Sequence, residues 1–577
     1  MCTDRVSFYL LFASSLMYFR PALFGPALAI ECFKGGSMLR YILRAAILSA
    51  LFASAFAVTP SSYGQSANGI APVGKCAELV NLQIPGSQMT ITKAQEIPTT
   101  PPGTLRAMSI TGDLIPVAIP PYCRADGVID QRTGFEGKPY AIGFAIALPD
   151  NWNGRFVFQG GGGLNGTVNP PLGSQAAGDS PALARGFAVV STDTGHKGAV
   201  FDAAFMKDQL AALNFAYTAV GRVAVLSKEI IAHYYGQPAK HSYYDGCSTG
   251  GREGMLMSQR YPTHFDGIVV GDPAMRTGYS NIGLTYARNA FAAIAPKDGS
   301  GKLEPAKDFS PSDKKLLADA IMNSCDEKDG LKDGMIFNVK ACDFNPAVLK
   351  CRGAKADSCL TGEQVGALQK AFSGPKDSRG NEVYARFPWD TGYILSAGSG
   401  PFAVFSSFLP TEGPSMIASV QPPANLTIDQ MVAGVEANEN QTLTDTTWTN
   451  LTTFSGHGGK LIFYHGTSDP VFSPFYTLAY YERMSKENGG LDQVQSWSRF
   501  FFVPGMNHCA GGPAALDDFD MLGAIVDWVE NGKAPDSVIA KGKPFPSRTR
   551  PLCPYPKYAH YKGQGDAEDA SNFECSQ

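Results

Sequence analysis

The stretch best suited to chemistry is a serine enclosed by glycines, Ser248, within residues 245–254. A strand-like run precedes it, and an apolar run with helical periodicity follows it from Met255. A Gly-x-Ser-x-Gly turn between a strand and a helix reverses the chain tightly, because its glycines lack the Cβ atoms that would block the turn. The pattern therefore predicts a nucleophile elbow with Ser248 at its apex. The alternative is a glycine-rich loop with an ordinary serine, since so short a pattern also arises by chance.

A nucleophilic serine needs a base and an acid, which follow it in this kind of arrangement in the order Asp or Glu, then His. Asp469 and His508 each follow a late apolar strand pattern and fit that order. We expect His508 to accept the proton of Ser248 as the hydroxyl attacks a carbonyl carbon, while Asp469 holds the imidazole tautomer. His465 is the rival base, but it precedes Asp469 and adjoins a strand end, where a structural hydrogen bond is expected. His196 precedes the serine and also breaks the order.

Backbone N–H groups are expected to stabilise the oxyanion that forms during this attack. One belongs to Thr249, and another lies within the glycine run 160–163, which directly follows a strand pattern. A phosphate-binding loop is the alternative for the glycines, but the Gly-Lys-Ser/Thr ending of such a loop is missing.

Two cysteines flank the candidate nucleophile and base. Cys247 directly precedes Ser248, and Cys509 directly follows His508. If Ser248 and His508 lie within hydrogen-bond reach, the neighbouring α-carbons can come within the roughly 4.4–6.8 Å that a disulfide requires. We therefore predict a disulfide between the two loops, with two buried free thiols as the alternative.

The elements that must position these residues alternate between strands and helices. Strand patterns occur at residues 141–148, 155–158, 186–190, 241–244, 267–270, 461–464 and 500–503, and helical patterns occur at 206–235, from 255, near 475–486 and at 516–530. This alternation predicts an α/β fold with a mainly parallel sheet covered on both faces. Residues 61–105 are interpreted as a loosely structured lead-in with short strand-like pieces, such as residues 89–92.

The alternation stops for about 180 residues in the middle of the chain. We predict one catalytic domain made of residues 68–272 and 457–577, interrupted by an inserted domain of residues 273–456. An insertion at the carboxyl ends of the strands would lie above the elbow, so it is predicted to be a lid.

Composition excludes some partners and favours others. The chain has 577 residues, of which 44% are hydrophobic and 17% charged, with a net charge of −4. This suits a large globular core and provides no basic surface for nucleic acid, so we expect a small or neutral substrate.

The N-terminal region indicates export. Residues 38–57 combine a basic start, an apolar run and an Ala-x-Ala ending, as a cleaved signal peptide does, and residues 1–37 would then be an upstream segment without a role. The alternative is a membrane anchor within residues 6–30, but no stable anchor is expected. A secreted or periplasmic chain would use its cysteines for disulfides, and no Cys-x-x-Cys pair indicates a metal thiolate site.

An acidic loop within the insertion is typical of calcium binding. Asp326, Asp329 and Asp333, with the backbone carbonyls of Leu331 and Met335, offer the hard oxygen ligands that Ca²⁺ prefers, although the spacing is not that of an EF-hand. The metal would be structural and remote from the chemistry, and a solvated acidic turn is the alternative. Cys325 and Cys342 are close enough in sequence to close this loop, and Cys351 with Cys359 can close a smaller one.

Runs 246–255, 464–469 and 503–509 resemble motifs of the tannase and feruloyl esterase family, and the similarity covers nearly the whole chain after the signal peptide. The resemblance implies an α/β-hydrolase fold with a large inserted lid domain, Gly163 as the second oxyanion donor and calcium at the acidic loop. It also implies the Cys247–Cys509 bond and four further disulfides, namely Cys76–Cys123, Cys325–Cys342, Cys351–Cys359 and Cys553–Cys575.

The expected function is that of a secreted serine esterase for aromatic carboxylic esters of the feruloyl or galloyl kind. Trp389, Phe402, Phe405 and Phe408 of the lid are predicted to stack on the aromatic group. A terephthalate monoester is the alternative substrate, but its carboxylate would need a cationic partner, and residues 387–410 contain no Arg or Lys. A catalytically silent binding protein on the same fold is the alternative from another class.

Overall fold

The chain is described here by a computed structural model. It describes residues 69–108, 111–301, 303–304, 307–395 and 426–577, all of which belong to one compact unit that spans residues 64–577. The signal peptide, the upstream segment and the anchor considered above lie outside the described residues, and so do Phe402, Phe405 and Phe408.

A nine-stranded sheet forms the centre of this unit. Its strands are β1 (Met89–Ile97), β2 (Tyr122–Thr133), β3 (Pro139–Pro149), β4 (Arg155–Gln159), β5 (Ala188–Thr192), β6 (His241–Cys247), β7 (Gly267–Gly271), β8 (Lys460–Gly466) and β9 (Ser498–Val503). The spatial order is β1-β2-β3-β5-β4-β6-β7-β8-β9. The pairs from β1 to β5 are antiparallel, and those from β5 to β9 are parallel.

Both faces of the parallel part are covered, as the apolar strand patterns predict. In β7, Ile268 and Val270 belong to one hydrophobic cluster, whereas Val269 belongs to another on the opposite face. Successive side chains of a strand point to opposite faces, so a strand that is buried on both sides must be apolar at every position. This explains why these strands appear in the sequence as continuous apolar runs.

Helices surround the sheet and build the inserted region. They are α1 (Gln209–Leu213), α2 (Ala219–Tyr235), α3 (Thr249–Arg260), α4 (Thr277–Ala292), α5 (Pro311–Cys325), α6 (Gly362–Ser373), α7 (Gly392–Leu395), α8 (Ile428–Glu436), α9 (Glu439–Thr444), α10 (Thr452–Gly456), α11 (Pro474–Glu487), α12 (Leu491–Val494) and α13 (Met521–Asn531). Smaller sheets near the C-terminus contain β10 (Asp518–Phe519), β11 (Val538–Gly542), β12 (Phe545–Leu552), β13 (Tyr558–Tyr561) and β14 (Phe573–Ser576).

The helix predicted at 206–235 contains a π-helical turn, Asn214–Thr218, between α1 and α2. The buried guanidinium of Arg252 donates hydrogen bonds of 3.0 Å to the carbonyls of Phe215 and Ala216 in this turn. A π turn frees carbonyl groups from the regular helical pattern, so the turn supplies partners for a charge that is buried beside the elbow. The run Gln209–Tyr235 is long and apolar enough to cross a membrane, but it contributes many buried residues to the core.

The strand-like piece at residues 89–92 is part of the longer edge strand Met89–Ile97, which pairs with β2, so the lead-in is more ordered than predicted. The helix expected from residue 516 begins at Met521, since Asp518 and Phe519 pair with β11 and the Asp520 side chain caps the helix by accepting a bond from the Gly523 N–H at 2.8 Å.

Strand β7 pairs directly with β8, although nearly 190 residues separate them in the chain. We call residues 273–456 the inserted region. Its described part has a hydrophobic cluster of its own, which includes Leu317, Leu368 and Phe372. The inserted region therefore supplies much of its own packing and begins just after the carboxyl end of β7.

The ten cysteines of the described chain form the predicted disulfides. The pairs are Cys76–Cys123, Cys247–Cys509, Cys325–Cys342, Cys351–Cys359 and Cys553–Cys575. The alternative of free thiols at Cys247 and Cys509 is thus wrong, because their α-carbons lie 5.9 Å apart, within bonding range.

Candidate active site

Ser248 occupies the turn between β6 and α3, with a positive φ of 62°. A Cβ atom added to Gly246 would lie 2.8 Å from the backbone of Gly250, and one added to Gly250 would lie 2.7 Å from the carbonyl oxygen of Gly161. The elbow therefore needs glycine on both sides of the serine. A non-glycine residue in such a strained conformation is characteristic of functional turns that the surrounding structure holds in place.

Asp469 and His508 are joined by a hydrogen bond of 2.7 Å between Oδ2 and Nδ1. The other carboxylate oxygen of Asp469 accepts the N–H groups of Val471 at 2.7 Å and Phe472 at 3.1 Å, which fixes the carboxylate plane. Because Nδ1 of His508 is engaged, Nε2 is the nitrogen that remains for a serine hydroxyl.

The electrostatics of this pair suit a general base. Burial alone would lower the pKa of His508, but the charge and hydrogen bond of Asp469 raise it above its ordinary value near 6.5. Burial alone would raise the pKa of Asp469, but His508 and His465 together hold it well below its ordinary value. Asp469 is therefore charged at neutral pH and stabilises a protonated His508.

Ser248 and His508 line one cavity of about 420 Å³. Its described walls also include Gly163 and Thr249, so the cavity brings together the predicted nucleophile, base and oxyanion donors. Apolar side chains make up much of the rest, namely Met108, Leu164, Val200, Phe201, Ala274, Leu284, Val471 and Phe472. None of the described lining residues is Asp, Glu, Lys or Arg.

The glycine loop lies against the elbow helix. Thr249 is the first residue of α3, so its N–H has no intrahelical partner, and its hydroxyl donates a hydrogen bond to the Gly163 carbonyl. The buried carboxylate of Glu253 accepts the Gly161 N–H at 3.1 Å and the Asn165 side-chain amide at 2.6 Å. Sequence reasoning missed Glu253. Its position four residues after Thr249, within the helix that follows the elbow, was the signal that could have identified it.

The rival histidines make other contacts. His465 is fully buried, with Nδ1 2.9 Å from Thr477 Oγ1 and Nε2 3.0 Å from the Phe472 carbonyl oxygen. His196 stacks on Phe205 with ring centroids 3.5 Å apart. Among the described residues, neither histidine lines the cavity that contains Ser248.

Asp272, which directly follows β7, also lies at this edge of the sheet and was missed by sequence reasoning. Its buried carboxylate accepts the Gly466 N–H at 2.7 Å through Oδ1 and the Cys509 N–H at 2.8 Å through Oδ2. An aspartate placed directly after a buried strand was the signal that could have identified it.

Trp389 was predicted to contact substrate but lies in the interior of the inserted region. Its ring stacks on Phe372 with centroids 4.1 Å apart, and it packs edge-on against Phe344. It is not among the described residues that line the cavity. Several rings that cover one another favour a core position, which is where the structure places Trp389. Phe472, which contacts the His508 ring edge-on at 5.3 Å, is an aromatic wall that the prediction missed.

The acidic loop of the inserted region holds three buried carboxylates. Asp326 accepts the Gly334 N–H at 3.0 Å, Asp329 accepts the Phe337 N–H at 2.8 Å, and Asp333 pairs with the buried Arg550. Burial and the neighbouring carboxylates raise the pKa of Asp329 to about 8. Ligand-type atoms of these three side chains do not gather within 4.8 Å of one another, unlike those of Asp272, His465 and Asp469 in the described chain.

A second cavity, of about 830 Å³, adjoins the first. The two share Met108, Gln175 and Cys509. Its walls carry charged side chains of both signs, namely Arg106, Lys541, Lys543, Asp113, Asp179, Asp517 and Asp518. The two cavities thus differ in polarity and meet beside the candidate base.

Known proteins are similar to this chain in sequence and architecture. The family profile described as tannase and feruloyl esterase matches residues 123–576. A mono(2-hydroxyethyl) terephthalate hydrolase from Piscinibacter sakaiensis is 38% identical over 518 residues, covering 80% of this chain and 85% of the relative. The crystal structure of feruloyl esterase B from Aspergillus oryzae is 28% identical, with a TM-score of 0.68, and covers 86% of this chain and 98% of that one. Tannin acyl hydrolase from Aspergillus niger shares the fold, at 20% identity and a TM-score of 0.61 over 85% of this chain and 92% of that chain.

Proposed function

The chain belongs to the tannase and feruloyl esterase family, and on that basis we propose that it is a serine esterase for neutral aromatic esters of the feruloyl or galloyl kind. Its membership makes it a carboxylic ester hydrolase with an α/β-hydrolase fold. The proposal adds the residues that perform the reaction and the kind of acyl group that they accept.

In the proposed mechanism, Ser248 Oγ attacks the ester carbonyl carbon while His508 Nε2 accepts the hydroxyl proton. The tetrahedral intermediate then collapses, the carbon–oxygen bond to the alcohol breaks, and His508 returns the proton to the leaving alkoxide. Water repeats the sequence on the acyl-enzyme and releases the carboxylic acid and free Ser248. Asp469 keeps the His508 proton on Nδ1 and stabilises the imidazolium in both halves.

The N–H groups of Gly163 and Thr249 are proposed to receive the oxyanion. Thr249 has an N–H at the start of a helix, and Gly163 lies in the same cavity at a positive φ of 57°. Preorganised donors of this kind stabilise developing charge without reorganisation during the reaction. The Glu253 contacts to the glycine loop support a fixed position for these donors.

The uncharged lining of the catalytic cavity carries the substrate assignment. An aromatic acyl group gains from apolar walls, whereas a buried carboxylate without a cation is costly. The described walls offer such a carboxylate no Lys or Arg, which supports a feruloyl or galloyl ester over a terephthalate monoester. The 38% identical relative from Piscinibacter sakaiensis keeps the terephthalate monoester as the second candidate. The more polar second cavity adjoins Cys509, so we place the alcohol portion of the substrate on that side.

A substrate comparison tests this assignment. Methyl ferulate, methyl gallate and mono(2-hydroxyethyl) terephthalate are to be compared by kcat/KM with the purified chain and with Ser248→Ala. We expect the better of the two methyl esters to exceed the terephthalate monoester by about tenfold or more, which corresponds to about 1.4 kcal/mol of differential transition-state binding. A preference for the terephthalate monoester would overturn the acyl assignment, and binding without hydrolysis of any ester would support the silent binding protein.

We also propose that the acidic loop holds a structural Ca²⁺ through Asp326, Asp329 and Asp333, with the carbonyls of Leu331 and Met335. Three carboxylates are buried in one loop, and Arg550 compensates the charge of one of them. Carboxylate and carbonyl oxygens are hard ligands of the kind that Ca²⁺ prefers. The ion would stabilise the loop and take no part in the reaction.

Export is proposed from the same set of observations. Five disulfides are typical of a protein that matures in an oxidising compartment. Together with the signal-like residues 38–57, they support a secreted or periplasmic enzyme that acts on small aromatic esters.

A further inference from the structure

We propose that Asp272 is a positioning residue for the catalytic base: its carboxylate joins the loops of Asp469 and His508 and adds a second negative charge behind them. This inference rests on the proposed roles of Ser248, Asp469 and His508. It concerns a residue that would touch neither the substrate nor the reacting atoms.

The position of Asp272 in the sheet allows it to reach three loops at once. It follows β7, which lies between β6 and β8, and its own N–H donates to the Tyr464 carbonyl at 3.1 Å. Its two carboxylate oxygens accept one N–H from Gly466, the last residue of β8, and one from Cys509 in the loop after β9. Its Oδ2 atom also lies 3.4 Å from the sulfur of Cys247, the residue before the nucleophile.

Backbone strain gathers around this carboxylate. Ser248, Asp272 and Cys509 all have positive φ values, of 62°, 33° and 64°. Side-chain-bearing residues persist in this region only where neighbouring contacts over-determine the backbone. For Cys509, those contacts are the disulfide to Cys247 and the hydrogen bond to Asp272. The carboxylate and the disulfide therefore restrain the same residue, directly beside His508.

The charge of Asp272 acts in the same direction as that of Asp469. Two ionisable side chains act on His508: Asp469 at hydrogen-bond distance and Asp272 behind the loop. The Nε2 atom of His465 lies behind them, 3.2 Å from Asp469 Oδ2 and 3.4 Å from Asp272 Oδ1. Burial raises the pKa of Asp272 to about 6, so it is mainly ionised at neutral pH. A negative charge near an imidazole favours the protonated form, which is the form that His508 takes in the transition state.

Asp272→Asn removes this charge with little change in shape. An asparagine side chain offers one acceptor oxygen, so it can satisfy only one of the two N–H groups and turns a donor toward the other. With less negative charge nearby, the pKa of His508 should fall. Since the base must be neutral in the free enzyme, the acid limb of the profile of kcat/KM against pH should move to lower pH.

Asp193 provides a matched control. Its carboxylate is also buried, it also directly follows a strand of the main sheet, and it accepts the N–H groups of Gly143 at 2.8 Å and Gly195 at 2.9 Å. Both N–H groups donate to the same oxygen, Oδ1, so an asparagine can keep both bonds, and Asp193→Asn removes a buried charge without a contact to the loops of Asp469 or His508. A role of Asp272 limited to stability predicts an unmoved acid limb in both variants.

The test is the pH dependence of methyl ferulate hydrolysis by the wild-type chain, Asp272→Asn and Asp193→Asn, with rates referred to titrated active sites. For Asp272→Asn we expect kcat to fall about tenfold, KM to stay within about twofold, and the acid limb to move down by about half a pH unit or more. For Asp193→Asn we expect kcat to stay within about twofold of the wild-type value and the acid limb to stay in place. An unmoved acid limb in folded Asp272→Asn would overturn the inference.

Two further measurements keep the outcomes separate. If Asp272→Asn does not fold, Asp272→Ser supplies the same comparison, because it keeps an acceptor but carries no charge. The double substitution Cys247→Ala/Cys509→Ala is then added to either variant. Because both restraints act on Cys509, we expect the combined fold-loss in kcat to differ from the product of the two separate fold-losses. A combined loss equal to that product would contradict a shared restraint. Failure of the wild-type chain to hydrolyse any ester would refute the proposed function instead.

Discussion

The catalytic edge of the sheet and the inserted region differ in how their residues are held. At the edge, Ser248, Asp469 and His508 lie in short loops directly after parallel strands, and a disulfide and the Asp272 carboxylate join these loops. In the inserted region, a separate hydrophobic cluster buries rings such as Trp389 that were expected to face substrate. The proposed reaction thus depends on a few fixed loops, whereas the cavity wall beside them depends on how the whole inserted region packs.

The two regions are nevertheless linked behind the candidate site. The hydroxyl of Tyr393, from the inserted region, donates to the Asp469 carbonyl at 3.1 Å, and Asp390 accepts the Gly505 N–H at 3.0 Å. Tyr384 accepts the Ser473 N–H at 2.9 Å. The inserted region therefore supports the acid and base loops as well as standing beside the cavity.

The largest difference between the regions should appear when one buried aspartate in each becomes asparagine. In Asp469→Asn, the amide oxygen is expected to keep the Val471 and Phe472 N–H bonds, which turns the amide NH₂ group toward His508 Nδ1. That contact favours the tautomer with the proton on Nε2, which cannot accept the Ser248 proton. We expect kcat for methyl ferulate to fall by about 10³–10⁴-fold in the folded variant.

Asp308→Asn in the inserted region is the matched change. Asp308 is buried, and burial raises its pKa to about 7, so loss of its charge should be tolerated. The kcat of Asp308→Asn is expected to stay within about twofold of the wild-type value. Comparable losses of kcat in Asp469→Asn and Asp308→Asn would show that the catalytic edge and the inserted region do not differ in the way described.

A smaller effect, on stability rather than rate, is expected from calcium. Removing Ca²⁺ with a chelator should lower the thermal midpoint by roughly 2–5 °C, and restoring Ca²⁺ should reverse the change. Asp329→Asn should have a lower midpoint that no longer responds to Ca²⁺, while kcat/KM for methyl ferulate changes less than about twofold. If neither chelator nor Ca²⁺ changes the thermal midpoint of the wild-type chain, the loop holds no metal. Arg550 and protonation of Asp329 then offset the negative charge of the loop.

The contrast also explains how much the sequence could predict. The fold class and the strands from β3 to β9 followed from local patterns, because a buried parallel strand is apolar at every position and a tight elbow requires glycine. The Cys247–Cys509 bond followed from the places of its cysteines beside Ser248 and His508, whereas the full set of five pairs followed from the family resemblance. Asp272 and Glu253 were missed because their positions in the sequence do not identify their partners. Both bind backbone N–H groups, which every residue except proline carries, and Glu253 also binds the side chains of Asn165 and Tyr244, which only the fold brings near. The burial of Trp389 in the inserted region could not be predicted, because an aromatic residue suits a core and a binding wall equally well, and only tertiary packing decides between them.

Covalent labelling of the folded chain with a fluorophosphonate tests the central claim most directly. A controlled comparison uses the wild-type chain, Ser248→Ala, and Ser468→Ala, which changes a buried serine beside Asp469 but outside the cavity lining. We predict one label per wild-type chain on the peptide that contains Ser248, loss of labelling in Ser248→Ala, and retention in Ser468→Ala. A folded wild-type chain that hydrolyses esters but carries no label on Ser248 would contradict the account.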